Sequence, residues 1–165
     1  MKKIKIDVVA LPLSGHLYPT MNLLAPLLQN PQYEIRLFTG PEKKAVSEAV
    51  GFQVLPILEG HVKEFEKAAN NKEQLGILSA YHQLSASIDL INLVSDQLLD
   101  EWQKNRPDIV IVDFITLSGG LVAEQMGIPW ISTMATQFAI ETTEGPPCFF
   151  GGMGTPQYLF RFVIV

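Results

Sequence analysis

Cysteine is nearly absent: Cys148 is the single one in 165 residues, so no disulfide can form within the chain. That fits a cytoplasmic protein, where thiols stay reduced. Positive charge is also scarce, with 12 Lys and Arg against 17 Asp and Glu and a formal net charge of −5. No basic patch or Lys/Arg stripe is present, which argues against nucleic acid as the main partner. No run reaches the roughly 18 uncharged apolar residues that a membrane span needs, so no transmembrane segment is expected. Met1-Lys2-Lys3 before an apolar stretch could pass for a signal peptide. Asp7 breaks that stretch, Pro12 follows, and no small-residue cleavage site stands out.

Several chemical signatures are missing too. His16, His61 and His82 are scattered, with no pair at ligand spacing, so no metal site is expected. A dinucleotide-binding oxidoreductase would carry Gly-x-Gly-x-x-Gly after its first strand, but Leu11–His16 supplies only Gly15. A serine hydrolase would carry Gly-x-Ser-x-Gly, which Leu117-Ser118-Gly119 does not fit.

What is present is core-forming material in alternating pattern. The chain is 47% hydrophobic and 18% charged, enough for one domain with a real core. Ile4–Leu11 is apolar except for Lys5 near its start and Asp7, and reads as a central parallel strand. A helix is expected over Pro19–Gln29, with Pro19 in its first turn. Tyr33–Thr39 reads as a second strand, Glu42–Val50 as a helix capped by Gly51, and Phe52–Pro56 as a third strand. A helical excursion follows, with a short helix at His61–Ala69 and a long one from Lys72 to Lys104. Asp108–Val112, Leu117–Met126 and Ile128–Met134 then read as strand, helix and strand. This alternation predicts an α/β fold: a Rossmann-like doubly wound parallel sheet of about five strands, in order 3-2-1-4-5, with helices on both faces. The Rossmann-like domain is expected to cover residues 1–140. Residues 141–165 read as a Gly/Pro-rich loop and an apolar tail that stops abruptly.

Gly15-His16-Leu17-Tyr18-Pro19 lies just past the carboxyl end of the first strand, the edge where open α/β sheets bind ligands. Histidine is well matched to proton transfer near neutral pH. A loop histidine can equally be a surface or capping residue. Asp113 ends the fourth strand, which the expected order places beside the first. A carboxylate behind an imidazole fixes its tautomer and stabilises the imidazolium. Asp113 could instead cap the next helix or stand as a solvated strand-end carboxylate.

With Ser14–Pro19, Met21–Ala25, Pro107–Phe114 and Ala123–Pro129 in view, the chain resembles the N-terminal domain of family 1 glycosyltransferases, whose two-domain fold is called GT-B. The resemblance spans residues 4 to 140. Such enzymes, bacterial macrolide, carotenoid and flavonoid glycosyltransferases among them, move a sugar from a nucleotide sugar to a small lipophilic acceptor with inversion. The resemblance implies that His16 is the general base and that Asp113 orients it. It implies acceptor-binding roles for Ser14, Gly15, Phe114, Thr116, Tyr81, His82 and Ser85.

The family's donor site lies mainly in a second, C-terminal domain with a His-Cys-Gly-type signature, and nothing like that signature occurs here. Gly151–Gly154 lacks the spacing of a dinucleotide turn. The expectation is therefore half of a transferase, inactive alone, that binds no cofactor itself and relies on a nucleotide sugar held elsewhere. It could be an excised or truncated acceptor domain, or one subunit of a split enzyme whose partner chain supplies the donor domain. It could also be a non-catalytic binding or helper protein that keeps the fold.

Overall fold

A computed structural model describes residues 2–69 and 77–134. Five strands form one parallel sheet: β1 (Ile4–Val9), β2 (Tyr33–Thr39), β3 (Gln53–Pro56), β4 (Ile109–Asp113) and β5 (Trp130–Thr133). Their order is β3-β2-β1-β4-β5, the doubly wound order expected from the alternation of elements. The described residues belong to one unit that closes near residue 135, so the expected boundary at 140 lies outside them. The Gly/Pro-rich loop and apolar tail also lie outside the described residues.

Period-two alternation along β1 sorts the core onto two faces. Ile6, Val8 and Ala10 pack with Leu17, Met21 and Leu24 of the first helix, α1 (Ser14–Leu24). Val9 and Leu11 point the other way. They meet Leu90, Val94, Leu98 and Trp102 of α4 (Ile77–Lys104) and Val122 of α5 (Leu117–Met126). Two shorter helices, α2 (Lys44–Val50) and α3 (Val62–Ala69), complete the layers. Gly51 closes α2 at φ 111° and Gly127 closes α5 at φ 63°, left-handed caps that favour glycine.

The start of α1 differs from the sequence expectation. Helical backbone begins at Ser14, not Pro19, so His16 sits in the first turn of the helix and not in the loop before it. Pro19 stands inside the helix past its first turn, and its missing N–H leaves the Gly15 carbonyl, on an exposed residue, without its intrahelical donor. The C-terminal part, Ala25–Gln29, tightens into a 3₁₀ turn, because Pro26 cannot donate to the preceding turn. Similarly, Pro41–Lys43 forms a 3₁₀ turn ahead of α2. The expected start of the long helix at Lys72 lies outside the described residues.

Asp7, the charged residue in the buried part of the first strand, is fully buried and paired with its cross-strand partner Arg36. Arg36 Nε and Nη2 donate to the two Asp7 carboxylate oxygens at 2.8 and 2.6 Å. Its Nη1 donates to Glu101 at 2.7 Å and its Nη2 to the Asn105 carbonyl at 3.0 Å, both at the end of α4. Burial pushes the Asp7 carboxyl up, against the pull of the guanidinium. This fork stitches β1, β2 and α4 together at a position where a lone carboxylate would be very costly.

Candidate active site

Strand register brings the two chemically loaded residues together. β1 and β4 are hydrogen-bonded neighbours, with Val9 opposite Val112. The residues just beyond Val9 and the residue after Val112 therefore share the carboxyl edge of the sheet. His16 reaches across from α1, and its Nδ1 lies 3.3 Å from Asp113 Oδ1 and 3.2 Å from Oδ2. Hydrogen-bond geometry is met at Oδ1, and Oδ2 has no hydrogen-bond partner among the described residues. The Asp113 side chain is wholly buried, while that of His16 keeps 18% of its surface exposed. Burial pushes the Asp113 carboxyl above its ordinary value, and His16 pulls in the opposite direction.

An imidazole that donates Nδ1–H to a buried carboxylate carries its lone pair on Nε2, on the far side of the ring. The ring is steadied by Phe114, whose centroid lies 5.3 Å away at a tilt of 46°. One turn along α1, Thr20 Oγ1 lies 3.4 Å from Thr133 Oγ1 at the end of β5. These contacts can hold one nitrogen ready to accept a proton from a hydroxyl approaching the sheet edge. Among the described residues, no three His, Cys, Asp or Glu side chains converge to hold a metal ion.

A cavity of about 380 Å³ opens where the loops after β1 and β4 meet α3 and α4. Its walls are mostly apolar: Leu11, Leu13, Phe65, Leu90, Ile91 and Val94 among them. Leu13 lies three residues before His16, and Thr116, also in the wall, three residues after Asp113. The hydroxyls here are engaged in the fold. Thr116 Oγ1 accepts from Leu11 N–H at 3.2 Å, Ser118 donates to the Ile91 carbonyl at 3.1 Å, and Ser87 donates to the Gln83 carbonyl at 2.9 Å.

The remaining candidates separate into two groups. Ser14 and Gly15 are exposed in the first turn of α1, and a Cβ on Gly15 would meet nothing within 4 Å. Phe114 is half-buried against His16 and Thr116 is buried in the cavity wall. Tyr81, His82 and Ser85 are exposed on α4 and do not line the cavity. That helix presents Ser87, Leu90, Ile91 and Val94 to the cavity instead. A three-to-four-residue stripe was visible there in sequence, but which side of it faced a cavity depended on α3 and the β4–α5 loop.

The chain matches no family model. It is 28% identical over 134 residues to the NDP-glycosyltransferase YjiC of Bacillus subtilis strain 168, a match covering 79% of this chain and 32% of the relative. Among solved structures, the glycotransferase of kitacinnamycin superposes with a TM-score of 0.64 at 20% identity, covering 82% of this chain and 31% of that one. SsfS6 of Streptomyces sp. SF2575, complexed with thymidine diphosphate, gives a TM-score of 0.59 at 22% identity, covering 79% and 38%. This is the fold of the N-terminal half of a GT-B glycosyltransferase. The chain spans about a third of the length of the GT-B relatives it matches. No helix among the described residues is long and apolar enough to cross a membrane.

Proposed function

We propose that this chain supplies the acceptor-binding half of an inverting glycosyltransferase, with His16 as general base and Asp113 as its orienter. The observation that carries the proposal is the His16 Nδ1 to Asp113 contact at 3.2–3.3 Å, formed across neighbouring strands at the ligand-binding edge. His16 Nε2 takes the proton of an acceptor hydroxyl as its oxygen attacks the anomeric carbon of the donor sugar. The bond from that carbon to the nucleoside diphosphate breaks, the diphosphate leaves with the electron pair, and the configuration inverts. Asp113 stabilises the imidazolium produced. The acceptor is a small lipophilic alcohol or phenol, whose apolar body suits a cavity with few free polar groups.

The donor is a nucleotide sugar, and its binding is assigned to a donor half supplied in the same polypeptide or by a partner chain. Base assistance is worth roughly 10²- to 10⁴-fold, whereas fixing donor against acceptor is worth roughly 7–11 kcal/mol. The base-bearing half therefore holds the smaller share of the catalytic power.

Titrating the ¹⁵N-labelled chain with small lipophilic alcohols and phenols tests the acceptor role. Saturable amide shifts at Leu13, Ile91 and Thr116, with a change at the His16 ring, are expected. Shifts confined to other surfaces, or none across a broad panel, would reject the assignment.

A further inference from the structure

The first turn of α1 has weak internal support. Its N-cap, Leu13, offers no side-chain hydrogen bond, and Pro19 withholds the N–H that would meet the Gly15 carbonyl. Yet this turn carries His16. Ser14 and Tyr18 stand four residues apart and so share one helix face. His16, two residues from each, stands on the opposite one, with Thr20 one turn below it.

Each face is held by a different side of the sheet. His16 meets Asp113 at the end of β4, and Thr20 meets Thr133 at the end of β5. On the β2 side, Lys43 Nζ donates to Ser14 Oγ at 2.9 Å and lies 3.4 Å from Tyr18 OH. The same ammonium sits 5.2 Å from the centroid of the Tyr18 ring. Lys43 is itself well fixed, ending the 3₁₀ turn Pro41–Lys43 with its N–H on the Gly40 carbonyl at 3.0 Å. Gly40 in turn packs so closely on the β1–α1 loop that a Cβ there would lie 2.7 Å from Pro12 Cγ.

We infer that Lys43 is a positioning residue for His16: by gripping Ser14 and Tyr18 from the β2 side it fixes the rotation of the α1 first turn that keeps Nδ1 on Asp113. The inference rests on the base-and-orienter reading above and adds to it a residue that touches neither partner.

The test reads the His16 tautomer in the full 165-residue chain by long-range ¹H–¹⁵N correlation, at a pH where the imidazole is neutral. His16 signals are assigned by their loss in His16→Ala. The wild type should show a protonated Nδ1 and a bare Nε2. Lys43→Met, which keeps the stem and removes the donors, should draw the two nitrogen shifts toward each other as the second tautomer gains population. Lys43→Arg should restore them. If Lys43→Met does not fold, Ser14→Ala with Tyr18→Phe removes both hydrogen bonds from the other side and should change the shifts in the same direction. Unaltered His16 shifts in these variants would overturn the inference. Asp113→Asn separates the two levels. If it leaves the tautomer unchanged, the base-and-orienter reading itself fails. If it changes the tautomer while Lys43→Met does not, only the role of Lys43 is lost.

Discussion

Asp113 stands where burial opposes an ionised carboxylate. It is wholly buried, and one oxygen lacks a hydrogen-bond partner among the described residues. Burial raises its carboxyl above the ordinary 3.8. Between the ordinary and the raised value the folded chain binds more protons than the unfolded chain, so stability falls as pH rises through that window. Asp113→Asn removes this loss. In thermal unfolding, the Tm of the variant relative to the wild type should rise from acid toward neutral pH. A relative Tm that falls with rising pH would mean that the ionised carboxylate stabilises the fold. His16 and Asp113 could be picked out in sequence because each lies at the carboxyl end of a largely apolar strand. Their contact could be anticipated because strand order alone makes β1 and β4 neighbours.

At the level of elements, the sheet and its order were legible because β-branched runs alternate with amphipathic stretches. Helix starts were less so. Pro19 reads as a first-turn residue, yet the helix begins five residues earlier and runs through it, leaving the Gly15 carbonyl without its intrahelical donor. The Asp7–Arg36–Glu101 fork was hidden for a different reason: its members lie on three elements, and nothing local marks Arg36 as buried. Its energetics are testable. Arg36→Met leaves Asp7 buried without its partner and should cost about 3–5 kcal/mol in denaturant unfolding. Replacing both, with Asp7→Leu added, should recover most of that loss, since an apolar pair of similar volume is often no worse than a buried ion pair. A double variant as unstable as Arg36→Met would show that the fork contributes beyond neutralising Asp7. The cavity-lining residues on α4 were the least legible. Tyr81, His82 and Ser85 share a helix with the cavity-lining Leu90 and Val94, but only the packing of α3 and the β4–α5 loop selects the face that lines it.

For the molecule as a whole, the proposed function divides labour between two halves, with the base and an apolar cavity proposed for these residues. The 165 residues carry no His-Cys-Gly-type donor signature, and they span about a third of the relatives' length. Incubated alone with nucleotide sugars and lipophilic acceptors, the chain should give no glycoside above background by mass spectrometry, while still binding acceptor. Turnover by the chain alone would place a donor site within it.

The central claim is that His16 removes the acceptor proton, and it is tested most directly by joining this chain to the part of the Bacillus subtilis relative that the match leaves uncovered and measuring transfer rates. The wild-type hybrid should form product, and His16→Ala should lower the rate about 10²- to 10⁴-fold with acceptor binding retained. A hybrid that works equally well without the imidazole would contradict the account.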